Sequence, residues 1–212
     1  MKKKLKNIKK NTNKKTNKNQ KKRYTFTRKE YMSGDGMMTS IWGPAMWHAL
    51  HTISFDYPVH PTNEEKKHYK EFIEKLKYVL PCKYCRINLT NNLKLYPIRE
   101  CHMKNRETFS RYVYELHEVI NKMLGKKSGL SYCDVRERYE HFRSRCTQIQ
   151  ANKLFKFNKT RKNKGKNIKE QGCTAPLYGK NAKCVIKIIP EEEKEPSFSV
   201  DNRCIKVREL GS

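Results

Sequence analysis

Cys82 and Cys85, separated by Lys83 and Tyr84 and preceded by Pro81, have the spacing in this chain that most directly permits covalent chemistry. Two intervening residues let both sulfurs meet as a strained, exchangeable disulfide when the pair opens a helix, and a helix N-terminus stabilises the first thiolate. The competing use of such a pair is half of a zinc site, which needs a second close pair of Cys or His. Cys133 with His141, or His48 with His51, would have to supply it, and neither forms a recognised zinc framework. Spacing therefore favours thiol redox chemistry, with no metal expected. A second signal comes from His48 and His51, and from His117 with Asn121 one turn later, a pair able to hold a ring or a phosphate from one helix face. Taken singly, such histidines are more often satisfied core residues, as are Trp42, Trp47 and Tyr57.

The elements that must position these groups read as helices. Trp42 to His51 is apolar at helical spacing, with Ser40 as the expected N-cap and a stop near Asp56, Tyr57 and Pro58. Thr62 and Glu65 have capping-box spacing ahead of Tyr69, Phe72, Ile73, Leu76, Val79 and Leu80, which predicts a second helix ending at Pro81. The cysteine pair then opens a third helix running towards Pro97. Phe109, Val113, Leu116, Ile120, Met123 and Leu124 mark a fourth, stopped by Gly125, and residues 134–145 give a shorter fifth. Strand-like runs are confined to Cys184–Ile189 and Phe198–Val200, which predict a small hairpin.

The chain has 212 residues and a formal net charge of +27, with 36% apolar residues. One modest domain with polar extensions is the expectation. Much of the charge lies in two low-complexity stretches: residues 1–30 hold 14 basic residues against one acidic, and residues 151–170 hold eight against one. Such stretches have little to bury and are expected to stay solvated and mobile. Either they contact a polyanion through counterion release or they are solubilising Lys/Asn-biased tails, and the lack of interleaved aromatics favours the second. No run of about 18 apolar residues suggests a membrane span, and the N-terminus has no apolar core of a secretory signal. The expected organisation is a basic tail (1–35), a helical redox domain (36–147), a basic linker (148–170) and a cysteine-containing C-terminal extension (171–212). A basic nucleic-acid-binding or virion scaffold protein with structural cysteines is the alternative from another class.

Together these features resemble the Erv/ALR sulfhydryl oxidases over residues 41–140. The resemblance rests on Trp47-His-Ala-Leu-His51 with Tyr57 and Pro58 downstream, on Cys82 and Cys85, and on the run from Leu116 and His117 through Asn121 to Leu124, Gly125 and Lys126. It implies an all-α fold, a four-helix bundle plus a short fifth helix, usually a homodimer, with FAD as cofactor. It further implies that Trp47, His51, Tyr57, His117, Asn121, Leu124 and Lys126 contact FAD, with Gly43 and Lys122 as weaker matches. Arg138 and Tyr139 fall where the family commonly has an Arg-Trp pair near the adenine. Cys82 and Cys85 match the redox pair: Cys82 receives the attack of a substrate protein dithiol, Cys85 faces the flavin, and oxygen accepts the electrons to give hydrogen peroxide. A thioredoxin-like carrier is the implied dithiol substrate.

Two departures matter. Cellular members usually join the fourth and fifth helices by a disulfide; here Tyr114 stands at the first position and Cys133 at the second, leaving Cys133 free or paired with Cys101 or Cys146. The extension holds Cys173, Cys184 and Cys204 and looks like those on sulfhydryl oxidases of large cytoplasmic DNA viruses, implying a place in the cytoplasm of an infected cell or in the virion. A shuttle role for Cys173 with Cys184 stands against a structural disulfide or a bound metal, and structure is favoured.

Overall fold

Segment by segment, the helices form where their ends are capped and their apolar stripes can meet. The computed structural model describes residues 27–34, 36–145, 173 and 175–206. Most of the basic tail and the whole linker, with any polyanion contact they make, lie outside these residues. The chain divides into two units, residues 1–34 and 35–212. In the first, α1 (Arg28–Tyr31) is a single turn closed by a Thr27–Glu30 capping box.

The second unit holds α2 (Thr39–Asp56), α3 (Asn63–Val79), α4 (Lys83–Leu95), α5 (Arg106–Met123) and α6 (Tyr132–Glu140). The Thr62–Glu65 box opens α3 as expected, and Asn105–Thr108 and Ser131–Asp134 open α5 and α6 in the same way. A Schellman arrangement ends α5: Gly125 takes φ +67°, its N–H donates to Lys122 O, and the Lys126 N–H reaches back to Asn121 O at 2.8 Å. The main core gathers Leu50, Ile73, Leu76, Leu89, Phe109 and Leu116 between α2, α3, α4 and α5. Phe55, Tyr132, Val135 and Tyr139 make a second cluster that fixes α6 to α2. Among the described residues no helix is long and apolar enough to cross a membrane.

Three expectations change. Ser40 does not cap the first long helix: α2 starts at Thr39, and its N-cap Met38 makes no side-chain cap bond. Its start is set from a distance, because Met37 N–H donates to Pro81 O at 2.6 Å and the Trp42 indole N–H donates to Met37 O at 3.0 Å. The last helix begins at Tyr132 and ends at Glu140, since Ser131 supplies an earlier cap. The hairpin over Cys184–Ile189 and Phe198–Val200 does not form. Val185, Ile186 and Ile188 are about 70% exposed with no strand beside them among the described residues, and a β-branched run without a partner edge gains nothing from extension. The pairing that does form is two residues long: β1 (Ser144–Arg145) runs antiparallel to β2 (Ala175–Pro176).

Where the resemblance implied a disulfide, the Tyr114 hydroxyl donates to Leu130 O at 2.8 Å and its ring packs edge-on against Tyr132. Cys101 and Cys133 are exposed free thiols, so they do not pair with each other, and Cys146 lies outside the described residues. Cys173 is disulfide-bonded and Cys184 is free, so those two are not a disulfide pair.

Candidate active site

Pro81 ends the α3–α4 connection, and Cys82 becomes the N-cap of α4, with its Sγ accepting the Cys85 N–H at 3.3 Å. A sulfur in that place satisfies one of the orphan donors of the helix end and gains from the helix dipole. Hydrogen bonding from the Cys85 side chain, helped by the Cys85 and Tyr84 N–H groups and by Thr39, holds the Cys82 thiol below the ordinary thiol range. Burial, and after it the neighbouring Cys82, pushes the Cys85 thiol up. Cys82 is therefore the first of the two to ionise. The turn is braced from outside by the strand-like bridge between Gly36 and Cys82. Gly36 takes φ +121°, and a Cβ there would lie 2.6 Å from Pro81 O and 2.7 Å from Cys82 Cα, so only glycine lets the chain cross so closely.

Thr39, the first residue of α2, connects this turn to the rest of the site, its Oγ1 lying 3.5 Å from Cys85 Sγ. Successive turns of α2 then present Gly43 and Trp47, with His51 one turn further on. At 1.5 Å rise per residue, Trp47 lies about 12 Å along the axis from Thr39. A Cβ built on Gly43 would touch only the Thr39 methyl, at 3.5 Å, so the surface of α2 directly over Gly43 is left open.

Beyond that gap stands a packed array of rings from α2, α5 and α6. Trp47 stacks on His117 with centroids 3.8 Å apart and planes 7° apart. His51 Nε2 and His117 Nδ1 share a hydrogen bond of 3.0 Å, and the Tyr139 ring lies 5.3 Å from His51. Burial, reinforced by the neighbouring histidines, drives His51 down to about 3, and burial drives His117 down to about 4. Both are neutral near pH 7, so one proton lies between them. Whichever ring donates it, His51 Nδ1 is left as a buried donor or acceptor with no partner among the described residues. An orphan of this kind costs about 1–3 kcal/mol unless something occupies it. The orphan nitrogen, the stacked rings and the open space over Gly43 fit a planar, hydrogen-bonding cofactor such as a flavin.

The remaining residues named from the sequence fall in different places. Asn121 is half-buried one turn beyond His117, its amide donating to Glu118. Lys122, Leu124 and Lys126 are exposed at or just past the C-terminal end of α5. Arg138 is half-buried and Tyr139 is within the ring array. Tyr57 departs from the expectation that it contacts a cofactor: it is fully buried against Tyr69 and Phe109, and its hydroxyl donates to Met103 O at 3.0 Å. A large aromatic beside a turn proline packs inward here because α3 and α5 converge on it. Sequence reasoning missed the role of Thr39, the bond from His48 Nδ1 to the Tyr139 hydroxyl at 3.2 Å, and Phe198, whose ring lies 4.9 Å from His48. The i, i+4 spacing from Thr39 through Gly43 to Trp47 was a signal that could have revealed the first.

Comparison with known proteins concerns the stretch of chain that carries these residues. The profile described as Erv1 / Alr family matches residues 44–144. A probable FAD-linked sulfhydryl oxidase of Acanthamoeba polyphaga mimivirus is 36% identical over 104 residues, covering 49% of this chain and 72% of that protein. An FAD-linked sulfhydryl oxidase of African swine fever virus is 30% identical over 99 residues, covering 47% and 80% respectively. The mitochondrial FAD-linked sulfhydryl oxidase Erv1 of Saccharomyces cerevisiae is 31% identical over 86 residues, and the matched region covers 43% of its length. The chain belongs to the Erv1/Alr family.

Proposed function

We infer that the chain is an FAD-linked sulfhydryl oxidase that converts protein dithiols to disulfides and passes the electrons to oxygen. The observation that carries this is the continuity of α2 from Thr39, against Cys85, past the open Gly43 position to Trp47 and the orphan Nδ1 of His51. Trp47, His51, His117 and Tyr139 would hold the cofactor, with Gly43 leaving room and Asn121, Lys122, Leu124, Lys126 and Arg138 along its edge. When bound, FAD supplies the two-electron acceptor that no side chain provides, and its reoxidation by oxygen yields hydrogen peroxide.

The residues of the chain do the thiol chemistry. A substrate thiolate attacks Sγ of Cys82 in the Cys82–Cys85 disulfide; the S–S bond breaks and the electron pair leaves on Cys85. The Thr39 hydroxyl, 3.5 Å away, is placed to donate to that sulfur. The second substrate thiolate then attacks the substrate's own sulfur in the mixed disulfide and expels Cys82 as a thiolate, the better leaving group because its charge is hydrogen-bonded at the helix end. The substrate leaves as a disulfide, two electrons poorer, and Cys82 and Cys85 hold those electrons as two reduced sulfurs, while neutral His51 and His117 add no charge to the rings beside them.

A thioredoxin-like carrier is the proposed substrate and a homodimer the proposed assembly. Similarity to the mimivirus and African swine fever virus oxidases supports a place in an infected cell's cytoplasm or in the virion. The test is the visible spectrum of purified protein followed by peroxide release on adding dithiothreitol. Yellow protein whose peroxide release vanishes in Cys82→Ser supports the reading. Colourless protein that takes up no added FAD rejects it.

A further inference from the structure

Among the described residues, backbone hydrogen bonds fasten the C-terminal segment to the bundle at two places. At one, β2 pairs with β1 and the Leu177 N–H donates to Arg143 O at 2.8 Å. At the other, the Lys206 N–H donates to His141 Nδ1 at 3.2 Å. The two points are tied to each other by the Lys180 N–H, which donates to Arg203 O at 3.0 Å, and by the close passage of the 203–204 backbone past Gly179. What lies between is a mostly exposed loop with the charged run Glu191, Glu192, Glu193, Lys194 and Glu195, and it delivers Phe198 to the bundle.

The Phe198 ring is half-buried in the array already described. Its centroid lies 4.9 Å from His48 and 6.1 Å from Tyr139, with the Tyr139 planes 15° apart, and the Arg138 guanidinium sits 5.4 Å from its centre. Next to it, between α6 and the segment, is a cavity of about 310 Å³ lined by Asp134, Glu137, Arg138 and His141 on the α6 side and by Phe198 and Val200, among others, on the segment's side. The redox sulfurs, at the N-terminal end of α4, lie beside the start of α2, so the electron-accepting ring of a bound dinucleotide belongs at that end. The ring-and-guanidinium set around Phe198 lies at the other end of the array, where the second planar ring, the adenine, would reach.

We propose that Phe198 is a wall of the cofactor site, by which the chain's own C-terminal segment retains the adenine end of FAD beside Tyr139 and Arg138. This rests on the oxidase reading above and adds a residue that lies outside the stretch matched to the family. The segment is thereby a built-in retaining strap, held at residues 175–177 and 206.

The test follows flavin release from diluted full-length holoprotein by the rise in free-flavin fluorescence, with the visible band of the bound flavin recorded alongside. Phe198→Ala should release flavin roughly three- to tenfold faster, the range expected for losing one aromatic stack. Phe198→Leu, which keeps the bulk that packs on Phe142, should fall between, and Phe198→Tyr should behave as wild type. Release unchanged within twofold in both Phe198→Ala and Phe198→Leu overturns the proposal. Slower release also overturns it, since Phe198 would then be competing with the cofactor for the same space. Wild-type protein that holds no flavin at all overturns the oxidase reading instead, and is told apart because no variant is needed to see it.

Discussion

At the N-terminal end of α4, beside Thr39, hydrogen bonds to the Cys82 sulfur hold its thiol below the ordinary range, whereas three turns along α2 from Thr39, burial strips His51 and His117 of charge, taking them to about 3 and about 4. One helix thus serves two environments with opposite preferences. Near Thr39 the end of α4 donates N–H groups and welcomes an anion; near His51 packed rings exclude water and penalise any ion. Thiol exchange needs the first, because the attacking and leaving species are thiolates. Holding a large planar cofactor suits the second, because neutral rings stack without carrying a hydration shell.

The comparison breaks most sharply at the sulfurs. Cys85→Ser should cut dithiol-dependent oxygen consumption on the order of 10³-fold while leaving the flavin spectrum in place; normal consumption would show that electrons take another route. Acid should act at the other end. In the unfolded chain both histidines titrate near 6.5, and in the folded chain they titrate near 3 and 4. Between those values the unfolded chain binds more protons, so stability is full above about pH 6.5 and is lost as pH falls towards 4. Each group contributes up to ~1.4 kcal/mol per pH unit. Urea midpoints at pH 7.5 and pH 5 measure the loss, and His51→Gln should flatten the difference; an equal slope in the variant would remove His51 from the account.

Between the two ends, Gly43→Val places methyl groups in the open space and should weaken flavin binding about tenfold with helicity unchanged by circular dichroism. Tyr57→Phe should lower stability by ~1 kcal/mol, through the lost bond to Met103 O, and leave flavin release as it was. A change in release would return Tyr57 to the cofactor site. The smallest effect is expected from Cys133→Ser, an exposed free thiol: peroxide release unchanged and stability within ~0.5 kcal/mol of wild type.

Much of this was legible where the physics is local. The Thr62–Glu65 cap, the period of α5 and the Gly125 stop depend on neighbours a few residues away, and the Cys82–Cys85 spacing carries its own chemistry. The start of α2 was not legible, because the bond from Met37 to Pro81 decides it across the fold, with the Trp42 indole then closing on Met37 O. Tyr57 beside Pro58 reads alike for a core or a site. Pairing of His51 with His117 spans 66 residues, and only helix packing could reveal it. The β-branched run near Cys184 has the composition of a strand but no partner among the described residues, while Phe198 read as part of a short strand, with nothing to tie it to the ring array.

Gly36 bears on how this sequence is free to vary. The crossing over Pro81 and Cys82 leaves no room for even one carbon, while Met37 and Met38 beside it are 70% and 66% exposed. A library randomised over these three positions and selected for thiol oxidation should drift at two of them and return glycine at the first. The shape of the redox turn is thus inherited partly through a residue that contributes no functional group, and damage there would look like an enzyme lesion although every reactive atom is intact.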